Sequence, residues 1–554
     1  MHDPSPTDIG RTCGAAVAAL ICVALLTGCS PQSYRESADR EVHSIINQKT
    51  PAVPHMLEQF SIEQTREDPL ESCPTVEMTA ETPEPGQEER AVVLSLEEAL
   101  EIAARHSRDY QTQKENLFLS ALALTLERYR FAFKPSATAE ATYDNTDMGD
   151  DEQVGLDTGI GYTRLFATGA RLSVDLLTTL TRFLTHDPRE AANSILDLTI
   201  TQPLLRGAGI VVTEPLVQAE RDVIYAMREF VRFRRQFFVG VLSDYYGVLR
   251  ERQVLENERL NYENLVFARD RAEALGEAGQ LPEFQVDQTR QQVLRAEDQV
   301  ENAQQRYQSR LDRFKITLGL PTDTRMELDP AELDRLGAAG SIELPWPAAD
   351  GAVSLALEHR LDLATAQDRR DDAERKVRVA RNDLLPGLDL SAGLTTDTDG
   401  GTHPIDFDGN RTDIGVGLEL DLPLDRRSER NQYRRRLIDL QQRERNFCET
   451  RDQVVLGVRD AWRQYNRARN SYQIQKESVA LAERRVDSTS MLLEAGRAET
   501  RDMLEAREAL VSAQNALATA LVEFRVARLA LARDMGILQV SRTGQLKESF
   551  DKYK

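Results

Sequence analysis

Carboxylates at regular spacing are the side chains of this sequence best placed to do chemistry. Asp502 and Glu505 stand three residues apart, on one face of a helix that begins just past a turn at Gly496. Asp389, Asp413, Glu419 and Asp421 alternate with apolar residues in two short stretches, so in strands they would share a water-facing side. Groups arranged this way act through their field, attracting cations; solvated surface acids are the plainer reading. Other chemistries have no seat. The 7 histidines are scattered, and neither H-E-x-x-H, a P-loop nor a G-x-S-x-G turn occurs. His106 and His359 fall near helix starts and read as packing residues. The 5 cysteines form no C-x-x-C pair, which argues against a zinc site. No catalytic residue, cofactor or metal is expected, and the chain does not read as an enzyme. Its net charge of −22 argues against nucleic acid as a partner.

The elements around these residues begin with a leader. Arg11 precedes an apolar run from Ala15 to Leu26, too short for a comfortable membrane span. Leu26-Thr27-Gly28-Cys29 resembles the bacterial lipobox, so residues 1–28 are expected to be a lipoprotein signal peptide with Cys29 acylated. Two or more acyl chains anchor stably. Residues 29–93, with a short helix from Ser33 to Lys49 and then six prolines, read as an extended lipidated tether. A Cys73–Cys448 bridge has nothing in the spacing to support it.

Beyond the tether the chain is built twice. Val286, Val293, Val300, Tyr307 and Phe314 recur every seven residues, with Thr289, Ala296, Ala303 and Arg310 as a second row. Met503, Leu510, Leu517, Phe524 and Leu531, with Ala506, Ala513, Ala520 and Ala527, repeat the pattern in register. Large residues in one row and small ones in the other describe a tight coiled coil, and two copies imply duplication. The first repeat spans 94–320, with strands near 136–145, 153–165, 169–181 and 194–204 and a helical tip at 275–281. A linker over 321–350 leads to the second repeat, 351–538, with strands near 386–396 and 411–422 and a tip at 493–501. Residues 539–554 form a tail.

Lengths then suggest an architecture. The unbroken helix 214–275 would run about 93 Å at 1.5 Å per residue, and two half-length helices would fill the neighbouring column. The strands, apolar on one side and small or acidic on the other, suit a transmembrane β-barrel. Six strands are too few to close alone, so cyclic oligomerisation is implied. The fold class is mainly α with membrane β.

Taken over about residues 94–538, the sequence resembles the TolC-like outer membrane efflux proteins. The likeness rests on the duplicated plan, on Gln202-Pro203-Leu204-Leu205 and Leu420-Asp421-Leu422-Pro423-Leu424 leaving the strands, and on Arg501-Asp502-Met503-Leu504-Glu505-Ala506 beyond the second tip. It implies a lipid-anchored homotrimer in the outer membrane that reaches across the periplasm. A periplasmic adaptor and an inner-membrane RND or ABC pump would be its partners, in efflux or type I secretion. It also implies that Asp502 and Glu505 gate the periplasmic entrance. Adaptor docking would fall on the tip residues Leu275, Gly276, Ala278, Gly279, Leu493, Ala495 and Gly496. The family contributes two strands per repeat, whereas the first repeat here has four. Either eighteen strands close the barrel or the hairpin 153–181 sits outside its wall. A coiled-coil lipoprotein that spaces envelope layers is the competing reading.

Overall fold

A computed structural model describes residues 30–62, 92–146, 151–183, 190–338, 348–398 and 407–547. In chain order its helices are α1 (Pro31–Lys49), α2 (Leu96–His106), α3 (Arg108–Tyr129), α4 (Ile210–Glu277) and α5 (Glu283–Leu318). They continue as α6 (Ala331–Ala338), α7 (Ala349–His359), α8 (Leu361–Asn382), α9 (Arg427–Glu494) and α10 (Thr500–Asp534). The strands are β1 (Val92–Leu94), β2 (Lys134–Thr146), β3 (Asp151–Leu165), β4 (Arg171–Phe183) and β5 (Glu190–Pro203). After them come β6 (Met326–Leu328), β7 (Gly387–Thr398), β8 (Phe407–Asp421), β9 (Gln539–Val540) and β10 (Leu546–Lys547).

Element lengths repeat the duplication. Both long helices, α4 and α9, have 68 residues, about 100 Å of rod. The helices before each set of strands are split alike, 11 residues then 22 in both repeats. The half-length helix expected ahead of the strands is broken in each repeat, at Ser107 and at Arg360, both extended. The cause is visible at the breaks. Gly319 and Gly536, which end α5 and α10 with φ of +82° and +77°, press on the carbonyls of His106 and His359. The two histidines therefore end helices rather than start them.

Helix α4 is the spine. It packs on its return partner α5, on α3 above, and on α8 and α10 of the second repeat. Helix α9 closes the far side against α10, α7 and α8. Phe230, Phe238, Tyr245 and Val248 of α4 are fully buried, with Leu117 and Leu124 of α3 against them. The coiled-coil rows behave as their residue sizes demand. Ala296 and Ala303 in one copy, and Ala506 and Ala520 in the other, are at most 4% exposed, which lets the paired helices approach closely.

Two segments differ from the sequence reading. Residues 30–62 are not an extended tether: α1 lies on α3, with Val42, Ile45 and Ile46 buried, and Val53, Met56 and Phe60 continue the contact. An apolar stripe on one side of α1 drives this, and Pro51 and Pro54 do not interrupt it. Residues 63–91 lie outside the described residues. Nor are residues 321–350 simply a linker. Strand β6 pairs in parallel with β1, Val92 to Met326 and Leu94 to Leu328, and Met326 and Leu328 are buried. Residues 539–547 of the tail form the β9–β10 hairpin.

Candidate functional site

The strands form one antiparallel sheet in the order β2-β3-β4-β5-β7-β8, and its register sorts residues by chemistry. One row across all six strands reads Pro135, Tyr162, Val174, Leu198, Leu394, Ile414. The adjacent row reads Ser136, Gly161, Asp175, Asp197, Thr395, Asp413. Successive residues of a strand point to opposite faces, so one face is apolar and the other polar. Much of the apolar face is bare, although Tyr162 stacks on Phe133 at 3.9 Å and Ala192 and Thr396 are buried. Ile160 is 64% exposed, Ile414 76% and Val416 75%.

The polar face carries carboxylates directly opposite one another: Glu140 with Asp157, Asp175 with Asp197, and Asp389 with Glu419. Like charges so placed destabilise a sheet pair, and water is the medium that tolerates them best. Asp197 is held by the hydroxyls of Thr199 and Thr395, both donating at 2.8 Å. Asp421 pairs with Arg206 at 2.8 Å where β8 meets the helices. Asp389, Asp413, Glu419 and Asp421, singled out in the sequence, all lie on this face. Glu140 and Asp157 fall on this face as the alternation along their strands has them; Asp175 and Asp197 were not singled out, and strand alternation was the signal available.

Far from the sheet, the two helical hairpins turn by the same device. In the first, Gly279 (φ +71°) lets Gln280 N–H donate to the Leu275 carbonyl at 2.8 Å. In the second, Gly496 (φ +67°) lets Arg497 N–H donate to Leu492 at 2.8 Å. Both are glycine C-caps of the Schellman type. Ala278, Gly279, Ala495 and Gly496 are exposed, while Leu275, Gly276 and Leu493 are half-buried.

Asp502 and Glu505 follow the second tip and are both engaged locally. The Asp502 carboxylate accepts the Glu499 N–H at 3.0 Å and so caps α10. Glu505 lies 3.6 Å from Arg501 one turn before it. The equivalents in the first hairpin, Gln285 and Gln288, are uncharged.

An ion-pair belt that sequence reading did not single out joins the repeats between α4 and α8. Asp372, 3% exposed, meets Arg221 at 2.5 Å and Arg375 at 3.0 Å, and accepts the Tyr225 hydroxyl at 2.6 Å. Arg375 reaches Glu214 at 2.5 Å, and Arg228 reaches Asp368 at 2.6 Å. Burial, with the Asp372 hydrogen bond, pushes the Tyr225 phenol well above its ordinary value. Nearer the break, at the start of α8, burial draws the Asp362 carboxyl upward. The Arg360 guanidinium, donating at 2.6 and 3.0 Å, outweighs burial and leaves that carboxyl below its ordinary value. No helix among the described residues is long and apolar enough to cross a membrane. No cluster of metal-ligating side chains occurs among them. Cys448 is free and exposed; Cys29 and Cys73 lie outside the described residues.

An unclosed sheet with much of its apolar side bare, set on rods about 100 Å long, is not the shape of a self-sufficient monomer. The fold is that of the TolC-like outer-membrane channels. VceC of Vibrio cholerae superposes with a TM-score of 0.58 at 18% identity, over 80% of this chain and 96% of that one. The CmeC channel of Campylobacter jejuni gives 0.59 at 13% identity, over 85% and 93%. OprN, another outer-membrane channel, gives 0.57 at 16%, over 80% and 89%. In sequence, residues 352–536 match the outer membrane efflux protein family, which is the second repeat. The outer membrane efflux protein BepC of Brucella suis is 28% identical over 208 residues, 37% of this chain and 45% of the relative. The aligned region thus spans less than half of that curated protein.

Proposed function

We propose that the chain is a passive export duct, the outer-membrane component of a tripartite efflux or type I secretion system. Three copies would surround one pore. The sheet would cross the outer membrane with its apolar face to lipid and its carboxylates to water, and the helices would continue the pore through the periplasm. The observation that carries this reading is the pair of adjacent rows across all six strands, one apolar, the next polar or glycine. A spacer without a channel has no use for such a face.

Trimerisation is supported by the flanks. Leu119, Leu126 and Tyr129 of α3, with Leu294 and Ile316 of α5, are exposed on helices that pack on α4. Leu456, Ile474 and Leu481 are exposed on α9, which packs on α10, α7 and α8, and a rotation would bring the two sets of helices together. A lipid on Cys29 would add a second anchor. At the periplasmic end the glycine tips would meet an adaptor's helices, and an inner-membrane RND or ABC pump would supply the energy. Asp502 and Glu505, repeated by three, would ring the entrance with six carboxylates.

Planar-bilayer recording of the purified protein tests the duct. A stable unit conductance is expected, and a detergent-extracted trimer that never conducts would refute it. The gate is tested by combining Asp502→Asn with Glu505→Gln, which keeps the helix cap while removing charge. Conductance, or the cation concentration needed to block it, should rise; no change in either removes the gate assignment.

A further inference from the structure

Strand number sets the width of the outlet, and here the sheet answers a question that spacing left open. The β3–β4 hairpin is not an appendage. It is hydrogen-bonded on both sides, β3 to β2 from Lys134↔Thr163 to Thr146↔Asp151, and β4 to β5 from Arg171↔Thr201 to Arg182↔Glu190. Its apolar residues continue their neighbours' rows, Ala141, Leu156, Leu180 and Ala192 standing in line. On the polar side, Thr142, Thr138 and Ser136 of β2 lean over Gly155, Gly159 and Gly161 of β3. The hairpin is wall on both faces.

The two outer strands, β2 and β8, are left without a partner on one side. Five successive antiparallel pairings make them run in opposite senses. Rotation about the pore axis preserves strand direction, so β8 of one copy meets β2 of the next antiparallel, like every other pair in the sheet. An open edge is not tolerated in lipid, and a second copy of this chain is the occupant that satisfies both edges at once.

We propose that this protein closes an eighteen-stranded barrel from three copies, through a β8–β2 seam, and that its outlet is wide. The inference rests on the trimeric duct proposed above. With strands about 4.8 Å apart and tilted by about 40°, eighteen strands give a backbone radius of about 18 Å, against about 12 Å for twelve. Four helical columns per protomer, twelve in all at 8–10 Å spacing, enclose a radius of about 15–19 Å. The wider barrel therefore continues the helical tube without a taper, and it passes cargo too bulky for a twelve-stranded outlet. Glycines at 155, 159 and 161 keep the polar face of β3 itself low, with only Asp157 and Thr163 between and beside them.

The test reads the seam and the bore separately. In a Cys73→Ser, Cys448→Ser background, Ala139→Cys is combined in turn with Val416→Cys, Leu418→Cys and Leu420→Cys. Oxidation should yield intermolecular dimers and trimers on non-reducing gels for at least one pair. An intramolecular bond between Ala139→Cys and Ser194→Cys, which brings β2 onto β5, overturns the proposal, as does a stable trimer that no seam pair cross-links. In bilayers, neutral polyethylene glycols added from the barrel side report the bore whatever the state of the tips. Excision of residues 151–183 should lower the size cut-off by roughly half, following the radii above less side chains. An equal cut-off in a conducting deletion trimer also overturns the strand count while leaving the duct intact. Full-length protein that neither trimerises nor conducts sinks the duct itself.

Discussion

Gly319 and Gly536 close the two returning helices by one contact. A Cβ at Gly536 would lie 2.8 Å from the His359 carbonyl oxygen, and one at Gly319 would sit on that of His106. Both glycines have positive φ, where a side chain is strained as well as crowded. Gly536→Ala should destabilise by about 1–3 kcal/mol, with Gly319→Ala the more severe, read as a fall in unfolding midpoint. At the neighbouring break, the depressed Asp362 carboxyl makes a pH prediction. A folded value below the unfolded one contributes stability that is present above about pH 4 and fades as pH falls through the folded value. Asp362→Asn should lower the midpoint at pH 7 and flatten its decline in acid; an unchanged acid slope would remove the linkage.

Among the elements, α1 has the most to say about how the chain is held. Val42, Ile45 and Ile46 are at most 1% exposed on α3 and the core, so the segment next to the proposed lipid site is also part of the folded body. Ile46→Ala should cost about 2–5 kcal/mol, seen by denaturation of detergent-solubilised protein. Were the segment a free tether, the same change would leave stability within about 0.5 kcal/mol. The tip of α10 separates two roles that coincide on Asp502. Its carboxylate caps the helix, so Asp502→Ala should loosen the tip by about 0.5–2 kcal/mol whether or not the residue gates. Protection of the first α10 amides from hydrogen exchange reads that loss, and Asp502→Asn should restore it.

For the whole molecule, the exposed flanks test the proposed assembly. Exposed Leu456, Ile474 and Leu481 on α9 and Leu294 and Ile316 on α5 have no counterpart within the protomer. Ile474→Asp should shift the detergent-extracted protein from trimer toward monomer while leaving its helical circular dichroism intact. A trimer that persists unchanged places that residue outside the interface. The like-charged pairs on the sheet belong to this scale too. They raise no difficulty when they front a wide water-filled bore, and a narrower barrel would bring the opposite walls' carboxylates closer.

The strands, helix tips and duplicated rows were legible in the sequence because they follow from local rules. Side-chain alternation marks a strand face, a seven-residue spacing marks a helix seam, and glycine marks a left-handed cap. Alternation also announced that one sheet face would be apolar and the other acidic. It could not say whether β3 and β4 joined the wall, since pairing partners are chosen across the sheet and not along the chain. Likewise the break at Ser107 depends on Gly319 arriving from more than two hundred residues away, and the docking of α1 depends on a groove that α3 completes. Periodicity along the backbone determined the faces; contact between distant segments decided which face met what.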